Sequence, residues 1–293
     1  MRAVYGVVLL VLAQGMAACN SSRSSIPIAP TQAVPEPVSQ GAVPSTGIWV
    51  NGNVYDGVFR PVAGAVVEVL DGPQAGLSAT ADASGQFTLR GNFDDTTRFR
   101  ASKEGYVDSA GTLVPRCATC SGARYIYLVL GVPAPPVEIA GAYSLTLVAD
   151  STCTDLPSEL RTRTYNATIT PVSDSRVAPN TNFHATVSGA QFLKDLESFT
   201  IGVAGDLVAF DLRWEGPAVV EEVAPNTYIG FDGRADASVG TSRVSTLSAS
   251  FQGSVDYCAL KSPMGSYYDC QPGLASARAE CESNNHQLIL TRR

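Results

Sequence analysis

Short runs of alternating apolar and polar residues, separated by glycine-containing turns, recur along almost the whole chain. The run 49–55 alternates before an Asp56-Gly57 turn, and Tyr143, Leu145 and Leu147 fall on one face of the run 141–147. Period-two runs spaced eight to twelve residues apart are typical of half-buried strands in sandwiches and barrels. Only the segment 190–198 has a helix-like pattern, of roughly two turns. The sequence therefore predicts an all-β protein.

Two folded domains are predicted on either side of a proline-rich join. The join at 131–136 is short and follows a finished strand pattern, so it separates a unit at 47–131 from a unit at 137–293. A chain of 293 residues exceeds what one small core usually uses. Because the join is stiff and short, we expect the two domains to share little interface and to fold separately.

The first twenty residues carry an export pattern. Arg2 precedes a short apolar run at 4–13, and Ala17-Ala18 directly precede Cys19. This arrangement resembles the lipobox of bacterial lipoproteins, which implies a signal peptide at 1–18, acylation of Cys19 and attachment to a membrane through the lipid. Asn20 then favours the outer membrane of the cell envelope. The alternative is an ordinary signal peptide. Residues 19–46 are rich in Ser and Pro and predict a disordered tether behind the lipidated cysteine.

The first domain resembles the carboxypeptidase regulatory-like family. The resemblance covers about 85 residues and rests on four motifs, which are Gly52 to Val54, Pro61 to Ala65, Thr80 to Phe87 and Gly105-Tyr106. It implies a seven-stranded, transthyretin-like β-sandwich that is non-catalytic. Another immunoglobulin-like sandwich is the alternative, and it carries the same functional expectation.

The second domain is predicted to contain eight or nine antiparallel strands, in an up-and-down barrel or a second sandwich. Gly141, Tyr143 and Arg292 resemble the calycin (lipocalin-like) pattern, in which an opening Gly-x-aromatic packs near a basic residue of the last strand. That resemblance implies a carrier of a small hydrophobic ligand, provided that residues such as Phe210 and Phe231 leave an internal cavity. A barrel filled with side chains is the alternative.

The cysteines predict a disulfide set. Of seven cysteines, Cys19 is assigned to the lipid, and an even remainder in an exported chain indicates disulfides. Sequence alone leaves three pairings open in the second domain. In an up-and-down barrel, however, the first and last strands are antiparallel neighbours. We therefore predict three bonds, namely Cys153–Cys281 across the seam, Cys258–Cys270 across a loop, and Cys117–Cys120 within the first domain.

Catalytic motifs are not found in the sequence. His184 and His286 are the two histidines, each expected to be half-buried or exposed, and no Gly-x-Ser-x-Gly, P-loop or His-Glu-x-x-His pattern occurs. Adjacent carboxylates such as Glu221 and Glu222 point to opposite faces of a strand and are poor acid–base partners. The formal charge of −7, without a basic cluster, argues against nucleic acid as a partner. We expect no enzyme activity, no metal and no cofactor.

Binding is the remaining expectation. Tyr267 and Tyr268 lie between Cys258 and Cys270, where a disulfide would hold exposed aromatic rings for a carbohydrate or an envelope protein. The alternative is that one of these rings caps the barrel. The predicted function is a non-catalytic, lipid-anchored binding protein, with a lipocalin-like carrier as the second hypothesis.

Overall fold

The computed structural model describes residues 48–114, 124–134, 137–213, 217–239, 245–261, 267, 270 and 273–293. Within these residues the fold is all-β, as predicted, with sixteen strands and two short 3₁₀ turns at Gly72–Gln74 and Ser158–Leu160. No helix in this part of the chain has the length and apolar character to cross a membrane.

The first domain is a two-sheet sandwich of seven strands. A three-stranded sheet has the order β4-β1-β7, and a four-stranded sheet has the order β3-β2-β5-β6. Strand β1 lies antiparallel to β4 and parallel to β7. One buried cluster that includes Val54, Phe99 and Leu128 fills the space between the sheets. The strands are β1 (Ile48–Asp56), β2 (Val66–Val69), β3 (Ser78–Thr80), β4 (Gln86–Gly91), β5 (Arg98–Ser102), β6 (Ser109–Thr112) and β7 (Arg124–Leu130).

The second domain is a closed, up-and-down antiparallel barrel. Consecutive strands are neighbours, and the last strand pairs with the first over Gln287–Arg292 and Tyr143–Val148. Two short strands, β12 and β13, occupy one position between β11 and β14, so nine strands make eight positions around the ring. The strands are β8 (Gly141–Val148), β9 (Thr162–Pro171), β10 (Asn182–Ser188), β11 (Phe192–Ala204), β12 (Leu207–Asp211), β13 (Val219–Ala224), β14 (Thr227–Ser238), β15 (Thr246–Leu260) and β16 (Ala275–Arg292).

The helix-like segment at 190–198 is a strand, so that expectation was wrong. Its apolar residues are spaced like those of a helix because β11 carries a bulge. The pairing of β11 with β13 shifts register between Phe192 and Glu197, and Asp195 has φ 67° there. The bulge places Leu193 and Leu196 in a cluster separate from the barrel core, whereas Phe192 packs against that core.

Side chains fill the barrel interior. Tyr143, Phe210 and Phe231, the residues on which a cavity depends, are each at most 1% exposed, and all three belong to one buried cluster. Phe251 is equally buried. The segment between β8 and β9 adds the buried residues Cys153, Leu156 and Leu160 to the same cluster.

A cationic clamp closes the seam of the barrel. The Arg292 guanidinium lies 5.0 Å from the centre of the Tyr143 ring and donates to the carbonyl oxygens of Ala140 and Glu138, at 3.0 and 2.7 Å. A Cβ on Gly141 would come within 2.8 Å of this guanidinium, and Gly141 has φ 142°. Glycine is therefore required at the start of β8. Tyr143 at the start of the barrel is thereby packed against the basic residue near the end of β16.

Both disulfides expected in the second domain are present. Cys153–Cys281 joins the segment after β8 to β16, with Cα atoms 5.6 Å apart and 128 residues between them along the chain. Cys258–Cys270 closes a 12-residue span after β15. Cys117 and Cys120 lie outside the described residues, as do Cys19 and the segments predicted as signal peptide and tether.

Sandwich and barrel share an interface, so the expectation of little contact was wrong. Val177, between β9 and β10, forms a bridge to Val129 on β7. Val58 lies in a buried cluster with Ala204 and Ala209 of the barrel, and its carbonyl oxygen accepts a 2.7 Å hydrogen bond from Arg234. Val132 of the proline-rich join packs against the same cluster, so the join itself takes part in the interface.

Candidate ligand-binding surface

Tyr267 packs against the outer wall of the barrel. It is half-buried, its ring lies edge-on to Tyr228 with centroids 6.1 Å apart, and its hydroxyl donates to Asp256 at 3.4 Å. Leu196 and Val220 belong to the same cluster. Burial, reinforced by the Asp256 carboxylate, raises the pKa of Tyr267. The ring covers the side wall of the barrel, which differs both from the exposed position expected for it and from the alternative in which it caps the barrel end. Tyr268 lies outside the described residues.

An acidic groove of about 520 Å³ lies beside Tyr267 on the barrel wall. Asp256 and Glu280 face each other across β15 and β16, and Asp232 and Glu282 line the same groove. Burial, with a contribution from Glu280, raises the pKa of Asp256 to about 6. No group of three or more His, Cys, Asp or Glu side chains in the described part of the chain is arranged to hold a metal ion.

His286 is fully buried, which corrects the expectation of a half-buried or exposed ring. The ring stacks on Phe251 with centroids 4.8 Å apart. Its Nδ1 accepts a 3.0 Å hydrogen bond from the Asp150 backbone N–H, so its Nε2, 3.2 Å from the Gly253 carbonyl oxygen, carries the proton. Burial lowers the pKa of His286, which keeps the ring neutral. His184 is exposed on β10. The two histidines therefore lie in different environments, and neither contacts a nucleophile.

Glu221 and Glu222 point to opposite faces of β13, as predicted. Glu221 is 4% exposed, and Arg163 donates to it from both Nε and Nη2. The Tyr165 hydroxyl donates to the same carboxylate at 2.8 Å. Burial, followed by the negative charge of Glu221, raises the pKa of Tyr165. Because the carboxylate is held by a guanidinium and a phenol, the group acts as a buried structural ion pair and has no open substrate position beside it.

The sandwich exposes an aromatic and amide-rich surface on its three-stranded sheet. Strand alternation turns one set of side chains of β4, β1 and β7 outward, and Trp49 and Tyr125 are 44% and 42% exposed there. Register places Asn51 between Thr88 and Tyr125. We call this surface the amide face; it consists of Trp49, Asn51, Asn53, Gln86, Thr88, Arg90 and Tyr125.

Hydrogen bonds order the polar groups of the amide face. The Thr88 hydroxyl donates to Asn51 Oδ1 at 3.0 Å, and the Tyr125 hydroxyl donates to Asn53 Oδ1 at 2.8 Å. The Arg90 guanidinium lies 3.6 Å from the centre of the Trp49 ring. Burial and the nearby Tyr55 raise the pKa of Tyr125, so its hydroxyl stays protonated at neutral pH.

A groove of about 600 Å³ lies over part of the amide face, and Gly52 forms part of its floor. Asn51, Asn53, Gln86, Thr88 and Tyr125 line the groove, whereas Trp49 and Arg90 lie outside its lining. A Cβ on Gly52 would lie 2.4 Å from the Phe87 ring and 2.5 Å from the Ile126 carbonyl oxygen. Glycine at this position therefore lets β1 lie close to its neighbours. The rest of the lining is mainly amide, hydroxyl and phenol groups.

Sequence alone does not identify the amide face as a binding surface, although the alternation that places its side chains together is visible in the sequence. Trp49, Asn51 and Asn53 alternate along one strand, and Tyr125 and Tyr127 alternate along another. Period-two alternation shows that each set shares a face, but it does not show that β1 and β7 are parallel neighbours. The pairing that brings the two sets together is a non-local property of the fold.

No protein-family model matches the chain, and no curated protein matches it in sequence. Among solved structures, the chain is similar to a variant of the major pilin subunit of Bacillus cereus. The identity is 12% over 83% of this chain and 68% of the pilin, with a TM-score of 0.22. Similarity at that TM-score supports no conclusion about fold or function.

Proposed function

We propose that this chain is a non-catalytic, lipid-anchored binding protein of the bacterial cell envelope, which presents its β-domains to a carbohydrate or an envelope protein. In this proposal Cys19 carries the lipid that attaches the chain to the outer membrane. The segment 19–46 then serves as the tether between membrane and folded domains. The first domain is proposed to belong with the carboxypeptidase regulatory-like sandwiches, consistent with its seven strands in two sheets.

The contrast between a filled barrel and an open groove on the sandwich carries this proposal. Tyr143, Phe210 and Phe231 occupy the barrel interior and are almost fully buried. The groove of the amide face instead offers amide and hydroxyl groups beside an exposed Tyr125. Polar groups placed around aromatic surface are typical of ligand sites. The buried carboxylate of Glu221 is engaged by Arg163 in a structural ion pair of the barrel.

A lipocalin-like carrier is the second candidate, and the clamp of Arg292 over Tyr143 favours it. A titration with an apolar fluorescent probe distinguishes the two candidate functions. A carrier takes up the probe saturably, whereas the filled interior predicts no saturable uptake by the folded chain.

Anchoring and binding are tested separately. We expect Cys19→Ser to abolish incorporation of labelled fatty acid and to release the protein from the membrane fraction. The lipoprotein assignment fails if the variant still incorporates label. Binding is tested with the Cys19→Ser chain without its signal peptide, residues 19–293, which retains every described residue. Screening it on a glycan array and against envelope proteins is expected to give specific binding to one of these classes.

A further inference from the structure

We propose that the amide face binds a chain of neutral sugars, with Trp49 and Tyr125 as the stacking platforms and Asn51 and Asn53 as the hydrogen-bonding groups beside them. The inference rests on the proposed function, because it names the ligand class and the site of a binding protein. It also moves the site from the tyrosine loop of the barrel to the sandwich.

The polar groups are arranged for an uncharged, hydroxyl-rich ligand. Thr88 and Tyr125 donate to the side-chain oxygens of Asn51 and Asn53, which turns the two amide nitrogens away from these hydroxyls. Neither amide nitrogen donates a hydrogen bond to any residue that the structure describes. Each amide nitrogen carries two N–H donors, and a sugar hydroxyl can accept from it and donate to a nearby oxygen.

The aromatic rings supply the apolar part of the site. Trp49 and Tyr125 keep 44% and 42% of their surface exposed, whereas the largest aromatic rings of the barrel are buried. Arg90 covers one side of the indole and restricts its orientation. Flat aromatic surface with polar groups beside it suits a sugar ring, which has an apolar C–H face and a polar rim. Asn51 lies next to Trp49 along β1 and opposite Tyr125 on β7, so a ligand that touches both rings also reaches this amide.

Charge disfavours an anionic ligand in the groove. Asp82 is the one charged residue in its lining, and Asp82 Oδ1 accepts hydrogen bonds from the backbone and hydroxyl of Ser84 and from the backbone of Gln86. These bonds lower the pKa of Asp82, which stays ionised. A sulfated or phosphorylated chain would meet this carboxylate in the groove, on a protein with a formal charge of −7. Arg90, the cation of the amide face, is stacked on Trp49 outside the groove lining.

The test is calorimetric titration of the Cys19→Ser chain, residues 19–293, with a panel of short neutral oligosaccharides built from glucose, xylose, mannose or N-acetylglucosamine. Oligogalacturonate of matched length is the anionic comparison. The variants are Trp49→Ala, Tyr125→Ala and Tyr125→Phe. Val66→Ala is the control, because Val66 is 43% exposed on the opposite sheet and removing its methyl groups leaves the amide face intact. Thermal melting verifies that each variant is folded.

We expect a neutral oligosaccharide to bind, and each alanine variant to weaken its Kd by about tenfold or more, since about 1.4 kcal/mol corresponds to that factor. Tyr125→Phe keeps the ring and loses the donor to Asn53, so we expect a smaller loss. The inference is overturned if neutral sugars bind equally well to all variants, because the site then lies elsewhere while the proposed function stands. It is also overturned if only the anionic sugar or only an envelope protein binds. If no glycan and no envelope protein binds while an apolar probe does, both the inference and the proposed function fail.

Discussion

Barrel and sandwich both bury phenylalanine rings in their cores, but the sandwich also exposes two aromatic rings on one of its sheets. The barrel buries Phe210, Phe231 and Phe251 completely, and two disulfides cross-link its described residues. The sandwich has no disulfide among the residues that the structure describes, and it leaves Trp49 and Tyr125 about half exposed. The contrast teaches that the exposed rings of the sandwich, and not the buried rings of the barrel, form the aromatic surface proposed for ligand contact. The sequence alone instead points to Tyr267 and Tyr268 of the barrel domain.

The largest expected effect concerns the covalent seam of the barrel. The double variant Cys153→Ala/Cys281→Ala removes a bond that closes a span of 128 residues, for which the loop-entropy model gives about 5 kcal/mol. Cys258→Ala/Cys270→Ala removes a 12-residue closure, for which the same model gives about 3 kcal/mol. Urea unfolding of both variants measures the difference. Equal losses would contradict the assignment of the long bond as the main constraint on the barrel.

The next prediction compares the contributions of two neighbouring carboxylates, Glu221 and Glu222, to the free energy of unfolding. Glu221→Gln leaves the Arg163 guanidinium without its buried counter-charge, and we expect a loss of about 3 kcal/mol in the free energy of unfolding. Glu222→Gln is the matched control, since this side chain lies on the other face of β13 and should cost at most about 1 kcal/mol. Denaturant unfolding compares the two. A loss at Glu222 as large as that at Glu221 would show that the barrel core does not depend on the ion pair.

The interface between the domains predicts a smaller effect. Val58→Ala removes two buried methyl groups from the cluster with Ala204 and Ala209, which should cost about 2 kcal/mol. Val66→Ala, at an exposed position of the same sandwich, should be nearly neutral. Residues 46–131 and 137–293 expressed apart should each melt below the whole chain. If both halves melted at the temperature of the whole chain, the two domains would be independent of each other.

The smallest effect is a pH dependence specific to the barrel. The folded state keeps His286 neutral with a lowered pKa, whereas the unfolded chain binds a proton near the ordinary value of about 6.5. Stability is therefore full above that value and is lost as the pH falls through it. Asp256, with its pKa raised to about 6, acts in the opposite direction, because the folded state holds the extra proton.

The pH dependence of stability is compared between chains with and without His286→Gln. An Asp256→Asn background removes the opposing contribution of Asp256. Unfolding is measured from pH 7 to pH 5 in an Asp256→Asn background, with exposed His184→Gln as the control. We expect the parent to lose more stability on acidification than the His286 variant. Identical pH profiles would mean that protonation of His286 is not coupled to unfolding.

Much of this architecture is predictable from local pattern, because strand alternation and turn spacing are local properties. The antiparallel order of the barrel strands then determines which cysteines meet, and it places Arg292 beside Tyr143. The burial of His286, the cluster around Val58 and the amide face are not predictable in this way. Each depends on a contact between segments distant in sequence. Tyr267 shows the same limit, since a loop position does not reveal the wall against which the ring packs.

Amide protection most directly tests whether ligand contact lies on the sandwich and not inside the barrel. Hydrogen–deuterium exchange of the Cys19→Ser chain, residues 19–293, is measured with and without the neutral oligosaccharide that binds best. The account predicts added protection confined to β1, β4 and β7, with exchange in the barrel strands unchanged. Protection concentrated in β8 to β16, or at the span between Cys258 and Cys270, would contradict it.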